Sequence, residues 1–223
     1  MKGSSGDVKK AKIILDVAFG RFDKVLKKSY HKTIDVVFGV YRGGEYDGWL
    51  AVSLKPSKGW LDWLINLFAF PHREYYWGGM AHGGYWREIE RYWDNFKLVI
   101  TGTPALDEAY KKGIIVSGRS KGAAEAVLIG MRMAYLGCHM LVGAVEPPRM
   151  CSRGFARTAE EKIGVDNIIC IVYQNDIVPG VPPWFVLPGT LIQIGDRRHG
   201  LSVNDHIMAT TEADVLYEAL NIK

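Results

Sequence analysis

The segment Gly118-Arg119-Ser120-Lys121-Gly122 sets one hydroxyl between two glycines. It follows the apolar run Gly113 to Gly118 and precedes a helical stretch, Ser120 to Leu136. A serine on so tight a strand-to-helix turn needs small neighbours, because its backbone is strained and the flanking chain passes close. Gly118 and Gly122 meet that need, and Ala123 lets the helix sit near the strand. The turn also leaves backbone N–H groups at a helix start, where negative charge developing on a substrate oxygen can be met. The chemistry predicted is nucleophilic attack by Ser120. The bland alternative is a glycine-rich turn in which Ser120 only caps the helix; the strand-before, helix-after setting favours the nucleophile.

A serine nucleophile needs a base, and the base an orienting acid, in the chain order serine, acid, histidine. Asp176 follows the apolar run Ile168 to Tyr173, in Gln174-Asn175-Asp176-Ile177-Val178-Pro179. It reads equally well as a turn aspartate ahead of a proline-rich loop, and Asp196 and Asp205 are its rivals. Two histidines lie downstream. His199, in Arg197-Arg198-His199-Gly200, reads as exposed loop, whereas His206 stands at the mouth of the last helix. His206 is the better base, since a base must be held by a rigid element. Asp205 has the simpler reading of a helix cap.

The elements that must position these residues follow from apolar periodicity. Val8 to Leu26 predicts a helix. Ile34 to Tyr41 and Trp49 to Lys55 predict strands joined by a glycine-containing hairpin. Met140 to Val145, Ile168 to Tyr173 and Leu191 to Ile194 predict further strands, with helices over Ser152 to Ile163 and Ile207 to Leu220. This alternation predicts an α/β fold, a mostly parallel sheet covered by helices on both faces. The site is then expected at the carboxyl ends of the strands.

The 223 residues suit a single domain, 1–223, with no internal repeat or linker. A net charge of +4 spread over scattered pairs such as Lys27-Lys28 and Arg197-Arg198 argues against a nucleic-acid partner. Three cysteines are too few for a disulfide framework and suit a reducing compartment. No apolar run reaches the ~18 residues of a membrane-spanning helix, and the first residues lack a signal peptide's apolar stretch. A soluble, cytoplasmic protein is the expectation. The sequence does not disclose its oligomeric state.

Several segments together resemble the class 3, fungal-type triacylglycerol lipases of the α/β-hydrolase superfamily. Ser53-Leu54-Lys55-Pro56-Ser57 with Asp62-Trp63 resembles the family's F-R-G-T…D-W, and Ala81-His82-Gly83-Gly84-Tyr85 its V-H-x-G-F. The turn at Ser120 resembles T-G-H-S-L-G-G, and Glu146-Pro147-Pro148-Arg149 resembles G-x-P-R. Asn175-Asp176-Ile177-Val178-Pro179 with Pro182-Pro183 resembles N-D-x-V-P…P-P, and Asp205-His206 the terminal histidine segment. The shared order is specific. The resemblance implies Ser120 as nucleophile, Asp176 as acid, His206 as base, and an oxyanion hole from the N–H groups of Ser57 and Lys121. It gives His82 a structural role. It also implies a short lid-like helix over residues 60–70, with Trp60, Trp63, Leu64 and Leu67 meeting substrate or, transiently, a lipid surface; the alternative is buried core.

Arg119 and Lys121 depart from the family's histidine and leucine. Either they pair outward with nearby carboxylates, or they draw in an anionic ester. The expected activity is hydrolysis of a lipid or other acyl ester through an acyl-enzyme, with no metal or cofactor. A phospholipase or thioesterase of the same fold and a non-catalytic lipase-like binding module are the competing readings.

Overall fold

The computed structural model describes residues 5–30, 34–55, 71–74, 77–195 and 200–220. Seven strands form one sheet: β1 (Asp23–Tyr30), β2 (Ile34–Val40), β3 (Leu50–Leu54), β6 (Ile114–Arg119), β7 (Met140–Val145), β8 (Ile168–Tyr173) and β9 (Thr190–Ile194), adjacent in that order. The first three pair antiparallel, and from β3 onward every pairing is parallel. A separate antiparallel pair joins β4 (Pro71–Glu74) to β5 (Gly79–His82). The helices are α1 (Ser5–Ala18), α2 (Gly83–Thr101), α3 (Pro104–Lys112), α4 (Lys121–Tyr135), α5 (Arg153–Ile163), α6 (Val203–Thr211) and α7 (Ala213–Ala219). This is the expected α/β-hydrolase architecture. Among the described residues no helix is long and apolar enough to cross a membrane.

Strand alternation builds two cores from one sheet, because successive side chains point to opposite faces. Leu50, Val52 and Leu54 join Val116, Val142 and Cys170 beneath α2, α4 and α5. Ala51, Ile115, Leu141 and Ile171 face the other way, onto α1 and α7. α1 sits close to its face because the residues beneath it are small. Ser53 and Ser117 donate to the carbonyls of Ala18 and Ile14 at 3.2 and 3.1 Å. A Cβ on Gly143 would come within 2.4 Å of Ile14.

The structure corrects two of the expected elements. The predicted helix from Val8 to Leu26 stops at Ala18, where Gly20 takes φ +74° and the last turn closes on Leu15 and Val17. A glycine in that conformation ends a helix, and Val25 and Leu26 belong instead to edge strand β1. The predicted closing helix is two helices broken at Glu212, whose backbone is extended. Thr210 and Thr211 at the break bond back to the carbonyls of His206 and Ile207, a competition that weakens a helix end. The lid-like helix expected over residues 60–70 lies outside the described residues.

Candidate active site

β6 delivers Ser120 at its carboxyl end with φ +54°, immediately before α4. That backbone is costly for a serine and persists only where the surroundings enforce it. The enforcement is visible. Ser120 N–H donates to the Val145 carbonyl of β7 at 2.9 Å. A Cβ on Gly118 would approach the Gly122 carbonyl oxygen to 2.2 Å, and one on Gly122 would approach that of Leu54 to 2.7 Å. Both glycines of the motif are therefore required by close backbone packing. Lys121 opens α4, so its N–H lacks an intrahelical acceptor and points out of the helix start.

The same backbone device repeats along the sheet. Ser120, Glu146 and Gln174, each just past or at the end of β6, β7 and β8, are the non-glycine residues at positive φ among the described residues. These ends form one edge, where a parallel sheet places its chemistry.

Asp176 lies three residues beyond β8 and His206 on the first turn of α6, and the two stretches are zipped together. Ser202 donates its N–H to Asn175, Ile177 donates to Ser202, and Asn175 N–H reaches the Asp205 carboxylate at 3.0 Å. Ser202 Oγ caps α6 by accepting from Asp205 N–H at 3.1 Å. Asp205 is therefore a tie to the acid's loop, and Ser202 supplies the cap expected of it.

This scaffold brings the three predicted residues into one relay. Ser120 Oγ and His206 Nε2 are 2.9 Å apart, and His206 Nδ1 and Asp176 Oδ2 2.6 Å. Asp176 Oδ1 accepts from Val178 N–H at 2.8 Å, so both its oxygens are held. An aspartate on Nδ1 fixes the tautomer whose Nε2 can accept the serine proton. All three side chains are buried, which strengthens each contact in a site with little water. This is a Ser-His-Asp catalytic triad, and the protein is a serine hydrolase. Asp196 and His199, the rival acid and base, lie outside the described residues, as do the oxyanion candidate Ser57 and Trp60, Trp63, Leu64 and Leu67.

The two cations beside Ser120 do different work. Lys121 is buried, not outward, and its ammonium lies 2.5 Å from Glu88 and 3.4 Å from Glu125. Burial pushes the Glu125 carboxyl up to about 8 against the pull of Lys121. A lysine so neutralised is not available to draw in an anionic ester. Arg119 donates to the Thr210 carbonyl at the end of α6 and lies 4.4 Å over the Phe19 ring. It thereby ties the nucleophile's strand to the base's helix, and desolvation brings it down to about 10, still a cation at neutral pH. His82 stacks on Tyr85 at 4.2 Å.

Sequence reasoning missed one member of the cluster. The side chain of Glu146, buried at the end of β7, has a ligand atom within 4.8 Å of those of both Asp176 and His206. The available signal was a glutamate standing where the resembling G-x-P-R segment has glycine.

The architecture is that of solved fungal lipases. The lipase of Rhizopus microsporus var. chinensis aligns over 94% of this chain and 89% of its own, at 18% identity and a TM-score of 0.67. The Rhizomucor miehei lipase in its propeptide complex aligns over 92% and 80%, at 16% identity and a TM-score of 0.68. A fungal lipase–inhibitor complex described as a model for interfacial activation aligns over 95% and 98%, at 15% identity and a TM-score of 0.69. No curated protein sequence matches the chain. The sequence model of the class 3 lipases matches residues 51–186, more than half of the chain, and the protein belongs to that family.

Proposed function

We propose that this protein hydrolyses carboxylic esters of lipids or other acyl compounds through an acyl-enzyme. The observation that carries the reading is the unbroken buried relay Ser120–His206–Asp176, with contacts of 2.9 and 2.6 Å. His206 Nε2 takes the Ser120 proton as Oγ attacks the ester carbonyl. Asp176 stabilises the imidazolium, which then gives its proton to the departing alcohol. Water, activated by the same nitrogen, releases the acid.

The oxyanion is assigned to the N–H groups of Lys121 and Ser57. The Lys121 assignment is supported by its place at the start of α4, and that of Ser57 by the register of β3, whose last residue Leu54 faces Gly118. One such donor lowers the barrier by about 3 kcal/mol. Trp60, Trp63, Leu64 and Leu67 are assigned to the substrate's cover by family membership. A rate that climbs sharply above the solubility limit of the substrate supports that cover, and smooth saturation removes it. Residues 1–223 act as one hydrolase domain, and three cysteines without a disulfide among them support a cytoplasmic setting.

The direct test is covalent. A fluorophosphonate probe labels the wild type and not Ser120→Ala, and nitrophenyl esters of rising chain length are cleaved at least 10³-fold more slowly by the variant. A folded wild type that takes no label ends the hydrolase reading and leaves the binding-module alternative.

A further inference from the structure

We infer that Glu146 is a fourth, positioning member of the catalytic cluster, a neutral carboxylic acid whose proton is donated to Asp176 and which thereby tunes the base. The inference rests on the triad reading above.

The geometry requires a proton. Glu146 is fully buried at the carboxyl end of β7. One of its oxygens, Oε1, accepts from the Tyr173 N–H of β8. Oε2 is buried and has no hydrogen-bond partner among the described residues, so its bond to Asp176 is the inferred one. What the carboxyl group faces is another carboxyl, that of Asp176, within 4.8 Å and with the His206 ring beside it. Two carboxyl groups in contact away from water cannot both ionise. Asp176 has reason to be the charged one, since Oδ2 takes the His206 ring and Oδ1 the Val178 N–H. The proton therefore sits on Glu146 Oε2. The surrounding charges agree. Burial above all, then Asp176 from the β8 loop and, least, Asp205 from α6 push the Glu146 carboxyl well above the usual range, opposed by the Tyr173 N–H. Arg149, the nearest cation in sequence, spends its guanidinium on the carbonyls of Pro179 and Pro183.

The backbone points the same way. Glu146 takes φ +51°, a region that favours glycine, at the position where the resembling segment carries one. A strained glutamate at a glycine position needs a compensating contact, and this one holds the Tyr173 N–H and lies against the triad.

The consequence is charge matching. A protonated Glu146 leaves the cluster with one negative charge, equal to the single positive charge His206 acquires in turnover. An ionised Glu146 would leave two, hold His206 as imidazolium at rest and block it as a base. A donor on Asp176 also spreads that carboxylate's charge, so His206 gives up its proton at lower pH.

Two variants separate this from a filling role. Glu146→Gln keeps both contacts, its amide oxygen accepting from Tyr173 and its NH₂ donating to Asp176. Glu146→Gly suits the backbone and removes the donor. The measurements are the pH profile of probe labelling at Ser120 and the NMR titration of the His206 ring. In Glu146→Gly the acid limb and the ring titration move up by about one pH unit, and in Glu146→Gln they stay within a few tenths of wild type. Coincident limbs in all three proteins, or equal shifts in both variants, overturn the proposal. A third readout needs neither activity nor the glycine variant: the infrared difference between wild type and Glu146→Gln at neutral pH. A protonated-carboxyl band present in wild type supports the shared proton, and its absence refutes it. A wild type that takes no label defeats the hydrolase reading instead, while the infrared band and the ring titration still report on Glu146.

Discussion

Two acidic clusters flank Ser120, one buried and one mostly so, and they are built from the same parts. On the α2–α4 side, Glu88 and Glu125 face Lys121, at 2.5 and 3.4 Å. On the α6 side, Asp176 and Glu146 face His206. Each has one carboxylate in direct contact with its base, 2.5 Å for Glu88 and 2.6 Å for Asp176. Each also has a second carboxyl that burial drives upward, Glu125 and Glu146. The difference lies in the base. Lysine is a cation at rest, so the first cluster is balanced in the resting protein. Histidine becomes a cation only when it takes the serine proton, so the second is balanced in the transition state. Placing fixed charge to suit the transition state and not the resting state is how a preorganised site lowers a barrier. The first cluster holds the nucleophile's helix in place; the second does chemistry.

Removing the permanent cation breaks that comparison most severely. Lys121→Met leaves Glu88 and Glu125 facing each other without a counter-charge, and loss of one partner of a buried pair costs about 3–5 kcal/mol. Urea unfolding should show that loss at pH 8 and a smaller one at pH 5, where the carboxyls can take up protons. The backbone N–H of residue 121 is unchanged, so the folded fraction should still take the fluorophosphonate label. Equal losses at both pH values would mean that packing of the lysine stem, and not its charge, holds the cluster.

Glu125 gives a finer measure, with a sign that can be worked out. Its carboxyl stands at about 8 in the folded protein against an ordinary 4.5. Between those values the folded state keeps a proton that the unfolded chain has lost. Stability from this group is complete below 4.5 and falls by up to about 1.4 kcal/mol per pH unit as pH rises toward 8. Glu125→Gln removes the slope. Chemical denaturation at pH 5 and pH 8 should show the wild type losing more stability across the interval than the variant. Parallel curves would place the negative charge on both glutamates at neutral pH and end the likeness between the clusters.

How much of this was legible in the sequence depended on the range of the interaction. Gly118 and Gly122 announced the turn because their constraint is local, a clash with backbone at most a few residues or one strand away. Met140–Val145 and Ile168–Tyr173 were readable to the residue, since strands buried on both faces are unbroken apolar runs. Asp176 and His206 followed from chain order and the resemblance, not from any local property. β1 was misread because Val25 and Leu26 fit a helical period, and only the reversal at Gly20 distinguishes the two. The clusters were not legible. Glu88 meets Lys121, and Glu146 meets Asp176, only after the sheet has set α2 against α4 and β7 against β8, and a lone glutamate in a sequence looks like solvated surface. That Lys121 could pair with carboxylates was foreseen as one of two readings; that it does so buried was not, for the same reason.

The smallest effect tests how firmly the second cluster is held. Lys121 and Glu125 share the long helix α4, whereas Asp176 sits on a loop and His206 on the nine-residue α6. The cap of that helix is Ser202 Oγ, 3.1 Å from Asp205 N–H. Ser202→Ala removes the cap at a cost of about 1 kcal/mol, a fall of roughly 2–4 °C in melting temperature for a chain of this size. The backbone of residue 202 still pairs with Asn175 and Ile177, and Asp205 still holds Asn175, so His206 keeps its partner. Turnover of a nitrophenyl ester should therefore fall only a few-fold, in kcat and not in KM. A fall of a hundredfold or more would show that the base is positioned by its helix cap, and that the zipper between the loop and α6 contributes little.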